Sequence, residues 1–188
     1  MDVTHGFASN DLQFVPSFYG GETKRMPDML VPLLKLPPLE PALQEMQAQG
    51  VVVRRAHPFE ITPIREFLLE HFGTGWADEV APCYSRQPIS LYIAIREGKV
   101  IGFGAYEATR RNFFGPTGVA EAERGKGIGR ALLLACLHGL CEMGYAYGVI
   151  GGAGPTEFYA KSVGAIPIPD SVPGIYTDML AGHDDDEE

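Results

Sequence analysis

The stretch Arg124-Gly125-Lys126-Gly127-Ile128-Gly129-Arg130 constrains this chain more than any other. It is a glycine-rich turn that opens directly into an apolar, periodic run from Ile128 to Met143. Glycine lets a backbone turn tightly and approach a ligand closely. The first N–H groups of the helix that follows have no partner within it, and they lie at the positive end of its dipole. Arg124, Lys126 and Arg130 add positive side chains. The anion that suits such a turn is phosphate.

Three phosphate motifs compete for this stretch. A P-loop needs G-x-x-x-x-G-K-[ST], which the chain lacks. A dinucleotide fingerprint needs G-x-G-x-x-G/A. Counted from Gly125 the sixth residue is Arg130, and counted from Gly127 it is Leu132. Further on, Val149 stands where an acid would hold a ribose. The arrangement that fits is R-x-x-G-x-G after a strand: Arg124, Gly127 and Gly129.

Around this loop the chain reads as an α/β domain with a mixed sheet. Val51–Arg55 is a β-branched strand. Thr62 and Pro63 read as N-cap and first residue of a helix carrying Ile64, Phe67, Leu68 and Phe72, closed by Gly73. Residues 76–84 form a second short helix. Leu91–Arg96 and Val100–Glu107 are strands joined by the turn Glu97-Gly98-Lys99. Asn112–Val119 is a strand interrupted at Gly115-Pro116. On the central helix Ile128, Leu132, Ala135, Gly139 and Met143 make one stripe, with Gly144 as cap. Tyr145–Gly151 is a strand, Phe158–Val163 a helix, and Ile166–Ile168 and Gly174–Leu180 supply the last strands. The order is β-α-α-β-β-β-α-β-α-β-β. Strand, helix and strand about the loop imply a local parallel βαβ unit, and the hairpin before it implies antiparallel neighbours.

Residues 1–49 read differently. Proline recurs at Pro16, Pro27, Pro32, Pro37, Pro38 and Pro41, and periodicity is absent until a short helix at Ala42–Gln49. This is an irregular arm, packed over the domain at 50–180 or over a neighbouring subunit. Residues 181–188 form an acidic, disordered tail ending in Asp184-Asp185-Asp186-Glu187-Glu188.

With 188 residues, 45% hydrophobic and 21% charged, the composition is that of a globular domain. A net charge of −9 argues against nucleic acid as partner and suits a cationic acceptor. Cys83, Cys136 and Cys141 lack metal spacing and read as reduced thiols, which places the chain in the cytoplasm. Neither a leader pattern nor a run of ~18 apolar residues is visible, so no membrane is expected. No cluster of His, Asp and Glu has ligand spacing, so no metal is expected.

The loop and the order of elements from Val51 to Leu180 resemble the GNAT N-acetyltransferase superfamily. The resemblance implies acetyl-CoA as co-substrate and a primary amine of a small molecule or peptide as acceptor, acetylated by direct attack. It implies that backbone amides of Arg124, Gly125, Lys126, Gly127, Ile128 and Gly129 surround a pyrophosphate, helped by Arg130, while Val119 pairs with the pantetheine arm. It implies a cleft where Asn112–Val119 and Tyr145–Gly151 splay apart. Tyr159, in Phe158-Tyr159-Ala160-Lys161-Ser162-Val163-Gly164, resembles the family's general acid, although it stands five residues before the glycine rather than four. Glu107 is a candidate base, and His71, Asp78 and Glu79 border the acceptor region. Trp76, Phe113, Phe114 and Tyr147 are candidates to line it. Two other readings stay open: a non-catalytic acyl-CoA-binding or regulatory module, and an acyltransferase with a different acyl-CoA. Homodimers are common in the family.

Overall fold

The computed structural model describes residues 26–172 together with 174 and 175. The acidic run 181–188 and most of the strand expected at 174–180 lie outside the described residues.

The elements are β1 (Met29–Pro32), α1 (Leu39–Ala48), β2 (Val51–Arg55), α2 (Ile61–Phe72), α3 (Thr74–Val80), β3 (Leu91–Arg96), β4 (Lys99–Tyr106), β5 (Phe113–Val119), α4 (Ile128–Glu142), β6 (Tyr147–Ile150), α5 (Thr156–Val163) and β7 (Ile166–Pro167). The seven strands form one sheet in the order β2-β3-β4-β5-β6-β1-β7. β5 and β6 run parallel, and every other neighbouring pair is antiparallel. The mixed sheet and the β5-α4-β6 unit follow the expected pattern.

Local chemistry explains the tightest joints. Glu97 (φ 51°) and Gly98 (φ 76°) both take positive φ, the geometry of a two-residue hairpin turn between β3 and β4. α2 begins at Ile61, ahead of the expected Thr62 cap, because a 3-10 turn at Pro58–Glu60 runs straight into it. Glu60 secures that entry by accepting from His57 N (2.8 Å) and from the Arg54 guanidinium. Pro63 then falls in the first turn, where a missing N–H leaves nothing unpaired. The second short helix covers only Thr74–Val80, and Ala81–Ser85 tightens to 3-10.

Helices pack on both faces of the sheet. On one, Phe67 and Leu68 of α2 and Trp76 of α3 meet Phe103 and Leu91. The other carries α4, whose buried residues include Ile128, the run Ala131–Leu137 and Leu140. The sequence stripe accounts for only part of this. α4 is buried nearly all round because α1 and the 3-10 turn at Leu33–Lys35 cover the side away from the sheet. Met143, expected on the stripe, is the C-cap and is exposed.

The N-terminal stretch departs most from expectation. Met29–Pro32 is no irregular arm but an inner strand, paired with β6 on one side and β7 on the other. Met29 and Val31 are buried in the core, and α1 starts at Leu39, three residues before the sequence helix. Four residues are too few for periodicity to show, and their alternation reflects pairing with strands far along the chain.

Candidate active site

β5 ends at Val119 and a 3-10 turn at Glu121–Glu123 leads into the glycine loop. Gly125 (φ 76°) and Gly127 (φ 82°) both take the left-handed conformation that a Cβ disfavours. Gly127 is the N-cap of α4, and no side chain caps that end. The helix therefore presents its first N–H groups to whatever lies in front. A pocket of about 140 Å³ lies there, lined by Arg124, Gly125, Gly127, Ile128, Gly129 and Arg130, with Val119, Glu123 and Phe158 around them. Uncapped amides, a helix N-terminus and two guanidinium groups fit a phosphate-bearing ligand.

The loop is braced from behind and beside. Gln49 at the end of α1 donates from Nε2 to Lys126 O (3.3 Å). A Cβ on Gly127 would lie 3.3 Å from Met46 of the same helix. Arg124 Nε donates to Val119 O (3.2 Å), tying the loop back to the strand end. Lys126 is not among the lining residues, and its ammonium donates to Ala122 O and to the Glu123 carboxylate (both 3.0 Å). Glu123 also accepts from Arg96, and hydrogen bonds from Lys126 and Arg96 hold its carboxyl below the usual range. The sequence reading missed Glu123 and Arg96. The i,i+3 spacing of Glu123 and Lys126 was a visible signal for half of that cluster.

The strands beside the loop separate. β5 and β6 pair only at Phe113↔Val149 and Phe114↔Ile150. Past Phe114 the β5 backbone meets Pro116, which has no N–H to offer. α5 lies by this gap. Tyr159 is buried, with its ring 6.3 Å from Phe114 and 5.3 Å from Phe158, both edge-on. Phe158 lines the loop pocket, so Tyr159 sits between the start of the gap and the anion site. Its neighbour Ala160, the residue that strict spacing to Gly164 would select, faces out. Burial pushes the Tyr159 phenol up, so it keeps its proton at neutral pH.

The other candidates are spread out. Glu107 is 1% exposed and takes φ 55° at the end of the β4–β5 hairpin away from the loop. Its carboxylate accepts from Asn112 N (2.6 Å) and its backbone N donates to Phe113 O (2.9 Å). This residue closes the hairpin. Asp78 pairs with Arg65 on the surface, and Glu79 accepts from the Thr109 hydroxyl. His71 is exposed, and its ring packs against Phe67 (4.7 Å). Trp76 stacks on Phe72 (5.1 Å) in the core, Phe114 is core, and Tyr147 is 56% exposed. Burial pushes the Cys83 thiol up to about 11 and the Cys136 thiol well above its ordinary value, so neither is a thiolate nucleophile at neutral pH.

An anion loop at a helix N-terminus, set beside two parallel strands that part, defines the GNAT fold. Residues 87–162, which hold the loop, α4 and most of α5, match the family model described as Acetyltransferase (GNAT) domain. Solved structures agree on the fold. One is the GCN5-related glucosamine N-acetyltransferase region of a fungal multi-domain GH3 beta-N-acetylglucosaminidase (TM-score 0.64, 16% identity, 78% of this chain, 20% of that one). Another is a GCN5-related N-acetyltransferase from Sphaerobacter thermophilus (0.53, 19%, 77% and 48%). A third is a GCN5-related N-acetyltransferase from Kribbella flavida (0.50, 15%, 77% and 55%). The chain thus spans between about a fifth and about half of these structures. No curated protein matches. Among the described residues no helix is long and apolar enough to cross a membrane.

Proposed function

We propose that the protein is an N-acyltransferase that moves an acetyl group from acetyl-CoA to a primary amine by direct attack. The observation that carries this reading is the juxtaposition of the uncapped loop Arg124–Gly129 with the gap that opens beyond Phe114 and Ile150. The amides of the loop, with Arg124 and Arg130, would hold the diphosphate of CoA. The backbone of β5 from Gly115 to Val119, freed of β6, offers groups to an extended arm. When bound, acetyl-CoA supplies an activated acyl group on a thiol leaving group.

The chain's own residues then have separate tasks. The loop anchors the charged end. Tyr159 keeps a proton on a buried phenol next to the gap, where a departing thiolate needs one. The aromatic wall of Phe158, Tyr159 and Phe114 excludes water from that side. The acceptor enters from the open side of the gap, and the net charge of −9 favours a cationic amine.

Calorimetry with CoA and acetyl-CoA, followed by thiol release over a panel of amines, tests this. The panel includes amino sugars, because one structural neighbour is described as a glucosamine N-acetyltransferase region. Binding with turnover on at least one amine supports the proposal. Binding without turnover on any supports a regulatory acyl-CoA module, and competition among acyl-CoAs reveals a preference for a larger acyl group. No binding of either thioester or free CoA rejects the reading.

A further inference from the structure

The gap between β5 and β6 needs a cause on each side, and the β6 side has one outside the GNAT match. In the paired part of the ladder Val149 N donates to Asn112 O (2.9 Å). By the two-residue repeat of a parallel ladder, Ala153 N would later donate to Pro116 O. It donates instead to Pro27 O (2.8 Å). The preceding amide, Gly152 N, donates to Asp28 Oδ1 (2.8 Å). Ala153 N is thus diverted from β5, while Gly152 N, on the β1-facing side of the alternation, ties the lip to the residues that lead into β1.

Asp28 is itself fixed. It is 8% exposed. Its backbone N donates to Ser171 Oγ (2.9 Å) and its carbonyl accepts from Ile168 N (2.8 Å). Ser171 Oγ donates on to Ile168 O (2.7 Å), closing a ring of hydrogen bonds that joins the start of β1 to the chain beyond β7. Gly174 (φ 66°) leaves room beside the carboxylate, since a Cβ there would lie 3.2 Å from Asp28 Oδ2.

We propose that Asp28 is a positioning residue that holds the Gly152–Ala153 lip away from β5 and so keeps the transfer cleft open. It acts through Gly152 and touches no reacting atom. The proposal rests on reading that gap as the acyl-transfer cleft.

Amide exchange by NMR on the full chain tests the hold itself. In the wild-type protein the Gly152 and Ala153 amides exchange slowly, at least 10-fold more slowly than an unprotected amide. Exchange at the free-chain rate overturns the proposal without any variant. Asp28→Ala raises Gly152 exchange at least 10-fold. Asp28→Asn, which keeps an oxygen acceptor at Oδ1, leaves it near wild type. In turnover assays Asp28→Ala lowers kcat at least 10-fold while the Kd for CoA, set at the distant loop, changes less than about 2-fold, and Asp28→Asn restores kcat. An equal loss of CoA affinity and kcat, or no rescue by Asn, assigns Asp28 a general structural role and overturns the proposal. Failure of the wild type to bind CoA rejects the acyltransferase reading instead, while the exchange rates still decide whether Asp28 holds the lip.

Discussion

At the scale of single residues, conformation and proton affinity carry the site. Gly127 combines φ 82° with a Cβ position 3.3 Å from Met46. Gly127→Val therefore faces both a backbone penalty of about 1–2 kcal/mol and a displaced loop. Calorimetry should show CoA binding weakened at least 10-fold, with the fold kept by circular dichroism. Tyr159→Phe keeps the ring contacts with Phe114 and Phe158 and removes only the hydroxyl. Steady-state kinetics should show kcat lowered by about 10²-fold, with KM for acetyl-CoA nearly unchanged. Full activity would make Tyr159 a packing residue. Sequence spacing alone left Tyr159 one residue out of register. In the helix Tyr159 points inward and Ala160 is exposed, because only one face of a short helix can be buried.

At the scale of elements, close approach and helix entry set the geometry. α4 docks on β4 where Gly139 meets Tyr106, and a Cβ on Gly139 would lie 2.8 Å from that ring. The ring cannot retreat easily, being 1% exposed with its hydroxyl accepting from Arg55. Alanine at a helix interior gains about 1 kcal/mol over glycine, but overpacking costs about 1–3 kcal/mol. Gly139→Ala should therefore lower the urea midpoint rather than raise it. The entry to α2 depends on pH. Hydrogen bonding to Arg54 holds Glu60 down at about 2, against an ordinary value of 4.5. A depressed carboxylate stabilises the fold fully above the unfolded value and loses that contribution as pH falls toward the folded one. Urea unfolding between pH 5 and pH 2 should show a steeper loss for wild type than for Glu60→Gln. Both effects lie in pairs whose partners the sequence does not juxtapose.

At the scale of the whole molecule, Met29–Pro32 belongs to the sheet. β1 separates β6 from β7, and α1 covers α4 and braces the glycine loop. A chain lacking residues 1–32 loses the buried Met29 and Val31, each worth about 1.5–3 kcal/mol, and bares the β6 edge. Differential scanning fluorimetry should show Tm lowered by roughly 10 °C or more, or an insoluble product. A Tm within a few degrees of the intact chain would mean that β1 is dispensable.

By itself the sequence determined the strand–loop–helix unit, because its signals are local. Glycines at Gly125, Gly127 and Gly129 and an apolar period after them lie within a few residues of one another. The hairpin at Glu97-Gly98 and the mixed sheet were legible for the same reason. Only the tertiary structure decided that Met29–Pro32 is a strand, that Glu107 closes a hairpin, and that Asp28 meets Gly152. Those roles depend on packing: Asp28 and Met29–Pro32 meet partners more than a hundred residues away, and Glu107 meets Asn112, five residues on, only through the geometry of the hairpin, so none of them leaves a periodic trace.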